Sequence, residues 1–245
     1  MARKNLEKSC RIPVGPCDAS ARPTDEEIEM TSTTLTRATS GSAVRTATLL
    51  RAGATAGPLF VGLGLAQAFT RDGFDLGQQP LSLLTLGEYG WLQIGNFVVS
   101  GLLALAGAAG LRRALRGQRA GTWGPALVAV LGVGLIIAGV LRPDPSMGWP
   151  AGAPAGNPPT MSWHSYGHGV GAMLSFGSLT IACLVFARRF GRLGALLSVL
   201  VALATVVVMA WPDQGSISVR MVLGSALVFG WLTAVSLHTI NERKH

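Results

Sequence analysis

An all-α, polytopic membrane bundle of six transmembrane helices, with both termini cytoplasmic and a disordered tail in front, is the fold class the sequence predicts. Three observations predict it. Of 245 residues, 49% are hydrophobic and only 13% charged, where soluble domains carry roughly 25% charged residues. The apolar residues are gathered into six blocks, and about 20 residues at 1.5 Å each cross ~30 Å of hydrocarbon. The arginines between the blocks alternate sharply in number from one turn to the next. A mean hydropathy of +0.43 fits the same class.

Residues 1–45 read as a disordered cytoplasmic tail. MARKNLEKSCRIPVGPCDASARPTDEEIEM mixes charge, proline and polar residues without apolar periodicity, and such a stretch buries too little to order itself. No apolar run follows its early charges, so it does not read as a cleavable signal peptide. Met30 is an alternative start, which would leave residues 1–29 upstream of it. The transmembrane domain then covers 46–245. Its spans are read at 52–70, 91–111, 121–141, 165–187, 193–211 and 219–238. The first contains Gly57-Pro58 and the fifth runs into Trp211-Pro212; both are tolerated where neighbouring helices re-satisfy the backbone.

Orientation follows from charge. With a cytoplasmic N-terminus, the inner side collects Arg37, Arg45, Arg51, the 112–119 arginines, the 188–192 arginines, Arg243 and Lys244. That is twelve basic residues, against Arg71, Arg142 and Arg220 outside. Short basic loops stay inside. The net charge of +8 is therefore a topology signal, and short arginine turns lack the base-reading face that nucleic-acid binding requires. The lipid bilayer is the implied partner. Cys10 and Cys17 fall in the tail and Cys183 in span four, so no structural disulfide is expected.

Polar residues inside the spans mark a candidate site. His164 and His168 lie four apart, roughly 40° around a helix, with His168 roughly 6 Å deeper. Gly167, Gly171, Ser175, Ser178 and Ala182 continue their face, while Met173, Phe176, Thr180 and Leu184 oppose it. The small stripe is expected to pack on protein and the bulky one to meet lipid. Span two carries Gln93, Asn96 and Ser100 at i, i+3 and i+7. With Asp213 and Arg220 at the outer helix ends, these residues and both histidines predict a polar pocket open to the outside. Tyr89, Trp91, Trp149, Trp163, Tyr166 and Trp211 gather at the same end, where an interfacial aromatic belt belongs.

The segments RDGFDLGQQPLSLLTLGEYGWLQIGNFVVSGLL (71–103), GVLRPDPSMGWPAGAPAG (139–156) and MSWHSYGH (161–168) resemble an actinobacterial six-span membrane family of uncharacterised activity, domain of unknown function nine-nine-eight. The resemblance runs from about Gly57 to Arg192. It implies six spans and a bacterial cytoplasmic membrane, and no activity. One departure is Gln79, which stands where relatives often carry a histidine before Pro-Leu-Ser.

Three functional readings follow. A structural, assembly or sensory membrane protein with an outward pocket around His-x-x-x-His comes first, because histidines in a first helical turn commonly serve the backbone and function must be argued from a complete site. The second is a proton-coupled transporter or small-ligand-binding protein, since intramembrane ionisable groups mark paths and histidine titrates near neutrality. The third is a metal-dependent hydrolase acting on a lipid or envelope substrate. There His164, His168 and Asp144 would ligate Zn²⁺, which needs three protein ligands plus water. The catalytic set would be Asp144 with Ser82 or Asp75 orienting the attack. This set resembles the alkaline-ceramidase and adiponectin-receptor superfamily, which has seven spans and a further histidine. A lone HxxxH lacks the glutamate of HExxH.

Overall fold

The computed structural model describes the backbone of residues 25–212 and 215–243, and side chains from residue 43 onward. The chain divides into two units, residues 1–43 and 44–245, and the second carries the core and the candidate site. Among the described residues the helices are α1 (Asp25–Thr70), α2 (Gly90–Ala114), α3 (Trp123–Val140), α4 (Trp163–Ala187), α5 (Arg192–Ala210) and α6 (Ile217–Glu242), with a short 3-10 helix at Leu81–Thr85. Each of the six is long and apolar enough to cross a membrane, the first through Ala43–Thr70. The protein is an all-α multi-pass membrane bundle. One end holds the start of α4 with its two histidines, and the other holds the 112–119 and 188–192 arginines.

The backbone of 25–45 is helical. The physical reason lies in the sequence. After Pro23 no proline occurs before Pro58, and a helix nucleated by an apolar span propagates at little cost through Thr, Arg, Ala and Ser. Residues 1–24, with Cys10 and Cys17, lie outside the described residues. Met30 and Arg37 lie on the helical backbone, and their side chains fall outside what is described.

Small residues hold the bundle together, because lipid supplies no hydrophobic force between helices and backbones must approach closely. A Cβ on Gly107 of α2 would lie 2.5 Å from the Cα of Gly53 on α1. A Cβ on Gly171 of α4 would lie 2.7 Å from the Gly134 carbonyl oxygen of α3. Around these contacts Phe60, Phe97, Leu131, Leu179, Phe186 and Phe229 form the core, with Phe60 set edge-on to Phe97 at 5.0 Å. On α4 the expected stripe is buried at Gly171, Ser175, Ser178 and Ala182, and Met173 and Leu184 are exposed. Phe176 is a correction: it is half-buried and turned to a cavity rather than to lipid.

At the histidine end two loops fold over the helices as a cap. Residues 71–89 and 141–162 share a second apolar cluster of Leu83, Leu84, Leu86 and Trp149 with Phe74 and Met147. Phe74 meets Trp149 edge-to-face at 5.2 Å. Trp149, expected in the interfacial belt, is buried here instead, ahead of a cis peptide bond to Pro150. Tyr89, Trp91, Trp163, Tyr166 and Trp211 are exposed. Gln79 ties the loops: its Nε2 donates to the Met147 carbonyl at 2.8 Å and its Oε1 accepts from the Asp75 N–H at 2.9 Å.

Candidate functional site

Three polar assemblies occupy the histidine end, and the predicted site residues are divided among them. The first is a buried ladder between α1 and α2. Arg71 donates to Gln67 Oε1 at 3.2 Å, and Gln67 Nε2 donates to Gln93 Oε1 at 2.7 Å. Asn96 Nδ2 donates to the same Gln93 oxygen at 3.1 Å and to the Phe60 carbonyl at 2.9 Å. Ser100 donates to Asn96 Oδ1 at 3.4 Å. Gln93 and Asn96 thus fasten α2 to α1, which supplies the partners a polar group needs in hydrocarbon, and Ser100 braces Asn96 from within α2. Two donors on one oxygen fix the Gln93 amide orientation, and its Nε2 is left buried without a partner among the described residues. Gln67 was missed by the sequence reading. Its signal is the i, i+4 spacing to Arg71, at the histidine end of the span that faces Gln93. Burial pushes the Arg71 pKa below its ordinary value, against the pull of Tyr89 and Glu88.

The second assembly is a relay at the start of α4. The Ser162 hydroxyl donates to Asp144 Oδ1 at 2.6 Å and its N–H to Oδ2 at 2.7 Å. These two bonds, the hydroxyl foremost, hold the Asp144 carboxyl below the usual carboxylate range. The same hydroxyl oxygen caps α4 by accepting from the Ser165 N–H at 3.2 Å, and it meets His164 Nδ1 at 3.1 Å. Because its only hydrogen is spent on Asp144, His164 must be the donor there. A nucleophilic serine hands its proton to the imidazole; this one points it at the carboxylate. His164 is exposed and lies against Trp163 at 4.1 Å with the rings tilted by 38°, which corrects the expectation that both histidines pack inward.

His168 belongs to the third assembly. Its Nδ1 lies 2.7 Å from the Ala138 carbonyl and 3.2 Å from that of Leu141. A carbonyl only accepts, so Nδ1 carries the hydrogen and Nε2 is an acceptor in the neutral ring. The ring borders a cavity of about 80 Å³ together with Ser82, Phe97, Ser175, Phe176 and Ser225. Ser175 donates to the Gly171 carbonyl at 2.8 Å and Ser225 to that of Met221 at 2.6 Å. Both hydroxyl hydrogens are committed, which leaves lone pairs to face the cavity.

The remaining candidates have structural partners. Asp75 accepts from the Gly77 N–H and from Gln78 Nε2, both at 2.8 Å, and shapes an exposed turn. Arg220 donates to Ser216 Oγ and to the carbonyls of Val208 and Trp211, closing the free end of α5. Asp213 lies outside the described residues. His164, His168 and Asp144 are not assembled as a ligand set: among the described residues no three His, Cys, Asp or Glu side chains come together to hold a metal. The predicted pocket of polar side chains is therefore a ladder, a cap and a smaller cavity. Of the named residues Ser82 and His168 border that cavity.

A family model described as "Protein of unknown function (DUF998)" matches residues 54–238. No curated protein and no solved structure matches the chain.

Proposed function

The chain belongs to the DUF998 family, and from that premise we propose that it is a non-hydrolytic membrane protein that binds and senses a small ligand in the His168 cavity. The observation that carries this reading is the shared polarity of three groups on the cavity wall. His168 Nε2, Ser175 Oγ and Ser225 Oγ all present lone pairs, because each has its hydrogen spent on, or fixed toward, a backbone carbonyl. Those three acceptors outnumber the one uncommitted hydroxyl on the wall, that of Ser82, and so favour an apolar molecule with one hydrogen-bond donor, such as an alcohol or amine, over a carboxylate. A volume of about 80 Å³ is on the order of three water volumes, so the ligand, or the part of it that enters, is a few heavy atoms.

The charge asymmetry supports a bacterial cytoplasmic membrane location with both termini inside and this cavity in the outer half. The metal-dependent hydrolase reading loses support because His164, His168 and Asp144 do not come together as a ligand set among the described residues. Transport would require a second opening toward the arginine end, and nothing in the described polar groups supplies one.

The test is thermal stabilisation of the detergent-purified chain by short primary alcohols, their methyl ethers and the matching carboxylates. A ligand that binds only the folded state raises the melting temperature. The alcohols should raise it, ethers and carboxylates should not, and His168→Phe and Ser225→Ala should each blunt the effect. Equal shifts from alcohol and ether, or equal shifts in wild type and both variants, would overturn the proposal.

A further inference from the structure

The arginine end carries two grooves, one on each side of the α4–α5 turn, and they differ in charge. One, of about 410 Å³, holds Arg189 and Glu242 in an ion pair at 2.5 Å, with His238 on the other carboxylate oxygen at 3.3 Å. Its charges are neutralised within the chain. The other, of about 750 Å³, lies between the α2–α3 and α4–α5 turns and is lined by Gln118, Arg119, Thr122, Trp123, Val185 and Arg188. No carboxylate lines it. The guanidinium groups of Arg119 and Arg188 are exposed and make no hydrogen bond or ion pair among the described residues.

The walls of this second groove are fixed before any ligand arrives. Arg112 donates to the Gly121 carbonyl at 2.8 Å and to Thr122 Oγ1 at 3.1 Å, clamping the turn. Ala120 holds a φ of 62°, and a Cβ on Gly121 would lie 1.9 Å from the Leu115 carbonyl oxygen. The 18-residue helix α3 starts at the groove, adding its positive end. Exposed Trp123 stands where α3 enters the bilayer, the level at which tryptophan meets lipid headgroups. Two free arginines, a helix start and an interfacial tryptophan describe a receptor for a phosphate at headgroup depth.

We propose that this groove binds the headgroup phosphate of an anionic phospholipid, with Arg119 and Arg188 as the paired cations and Trp123 and Val185 against the glycerol and upper acyl chain. Basic pockets between transmembrane helices recognise such headgroups, and each arginine near the surface contributes about fivefold in affinity. The pair together should contribute tenfold or more.

The experiment is native mass spectrometry of the full chain in neutral detergent, titrated with phosphatidylglycerol and with phosphatidylcholine of the same acyl chains. The variants are Arg119→Gln/Arg188→Gln and a charge-matched control, Arg113→Gln/Arg192→Gln, which removes two exposed arginines outside the groove. Wild type and the control should prefer phosphatidylglycerol, and the groove variant should lose that preference by at least tenfold. A third variant, Arg119→Lys/Arg188→Lys, should keep most of it. Equal loss in the control would mean diffuse charge and would overturn the site. Displacement of the lipid by millimolar glycerol phosphate would overturn the lipid assignment in favour of a soluble phosphate. No preference in wild type would overturn both.

Discussion

Replacing Gln93 by leucine removes the most deeply buried amide of the bundle, and the structure argues that the protein will tolerate it. Gln93 has none of its surface exposed, and its Oε1 receives hydrogens from Gln67 and Asn96. Both donors keep a second acceptor after the substitution, Gln67 at the Leu63 carbonyl and Asn96 at that of Phe60. Side-chain bonds between membrane helices contribute about 0.6 kcal/mol each, and counting the intrahelical bond from Asn96 at the same size as the interhelical one from Gln67 puts the loss at about 1.2 kcal/mol. Against this, Gln93 Nε2 is buried without a partner, and relieving such a group returns about 1–3 kcal/mol. Gln93→Leu should therefore range from neutral to about 2 kcal/mol more stable. Asn96→Leu makes the opposite case. It deletes two donated bonds and strips Ser100 of its acceptor with no unsatisfied atom to relieve, which costs about 1–2 kcal/mol. Equilibrium unfolding in mixed micelles, or steric trapping, measures both. A loss above about 2 kcal/mol for Gln93→Leu, or a loss exceeding that of Asn96→Leu, would refute the reasoning, because Nε2 would then have a partner in the bilayer.

Other outcomes are equally specific. Gly107→Val drives a side chain into the Gly53 backbone and should cost at least about 2–3 kcal/mol, read by the same unfolding assay, whereas Gly177→Val, which meets nothing within 4 Å, should cost only its propensity difference. Ser162→Ala removes the cap of α4 and a bond to Asp144, for about 1–2 kcal/mol, visible as faster amide exchange in the first turn of α4. The Asp144 carboxyl is held below its ordinary range, so its contribution is fully present above the unfolded pKa of about 3.9 and is lost as pH falls through the lower folded value. Asp144→Asn should flatten that acid limb in a pH-dependent melt. Arg220→Leu leaves the α5 carbonyls at Val208 and Trp211 uncovered and should fray the end of α5 by hydrogen exchange.

The spans were legible because segregation of apolar blocks is a property of the chain itself. Predicted and observed helices agree at the two ends of α2 and α4 to within three residues. The stripe on α4 was legible for the same reason, since 3.6-residue periodicity puts Ser175, Ser178 and Ala182 on one face. The pocket was read too large because polar residues at one end of a bundle need not share a cavity. Gln93 found Gln67 on a different helix, Asp144 found the serine that caps α4, and Arg220 found the carbonyls of the preceding helix. Such pairings are set by helix rotation and loop course, which no single helix encodes. Trp149 shows the same limit: its neighbours Phe74 and Leu83 come from a loop more than sixty residues away. The cavity polarity was also hidden, because it depends on which carbonyl each hydroxyl and imidazole hydrogen meets.

The ladder between α1 and α2 has a consequence for charge movement. A hydrogen nucleus hopping along such a chain needs every link to point the same way, each group releasing forward what it takes from behind. Here the N–H bonds of Gln67 and Asn96 run head-on into one Gln93 oxygen, and amides do not titrate at physiological pH. The row of polar groups that looks from outside like a wire into the membrane is therefore an insulator, sealing that seam against leak while it fastens the two helices.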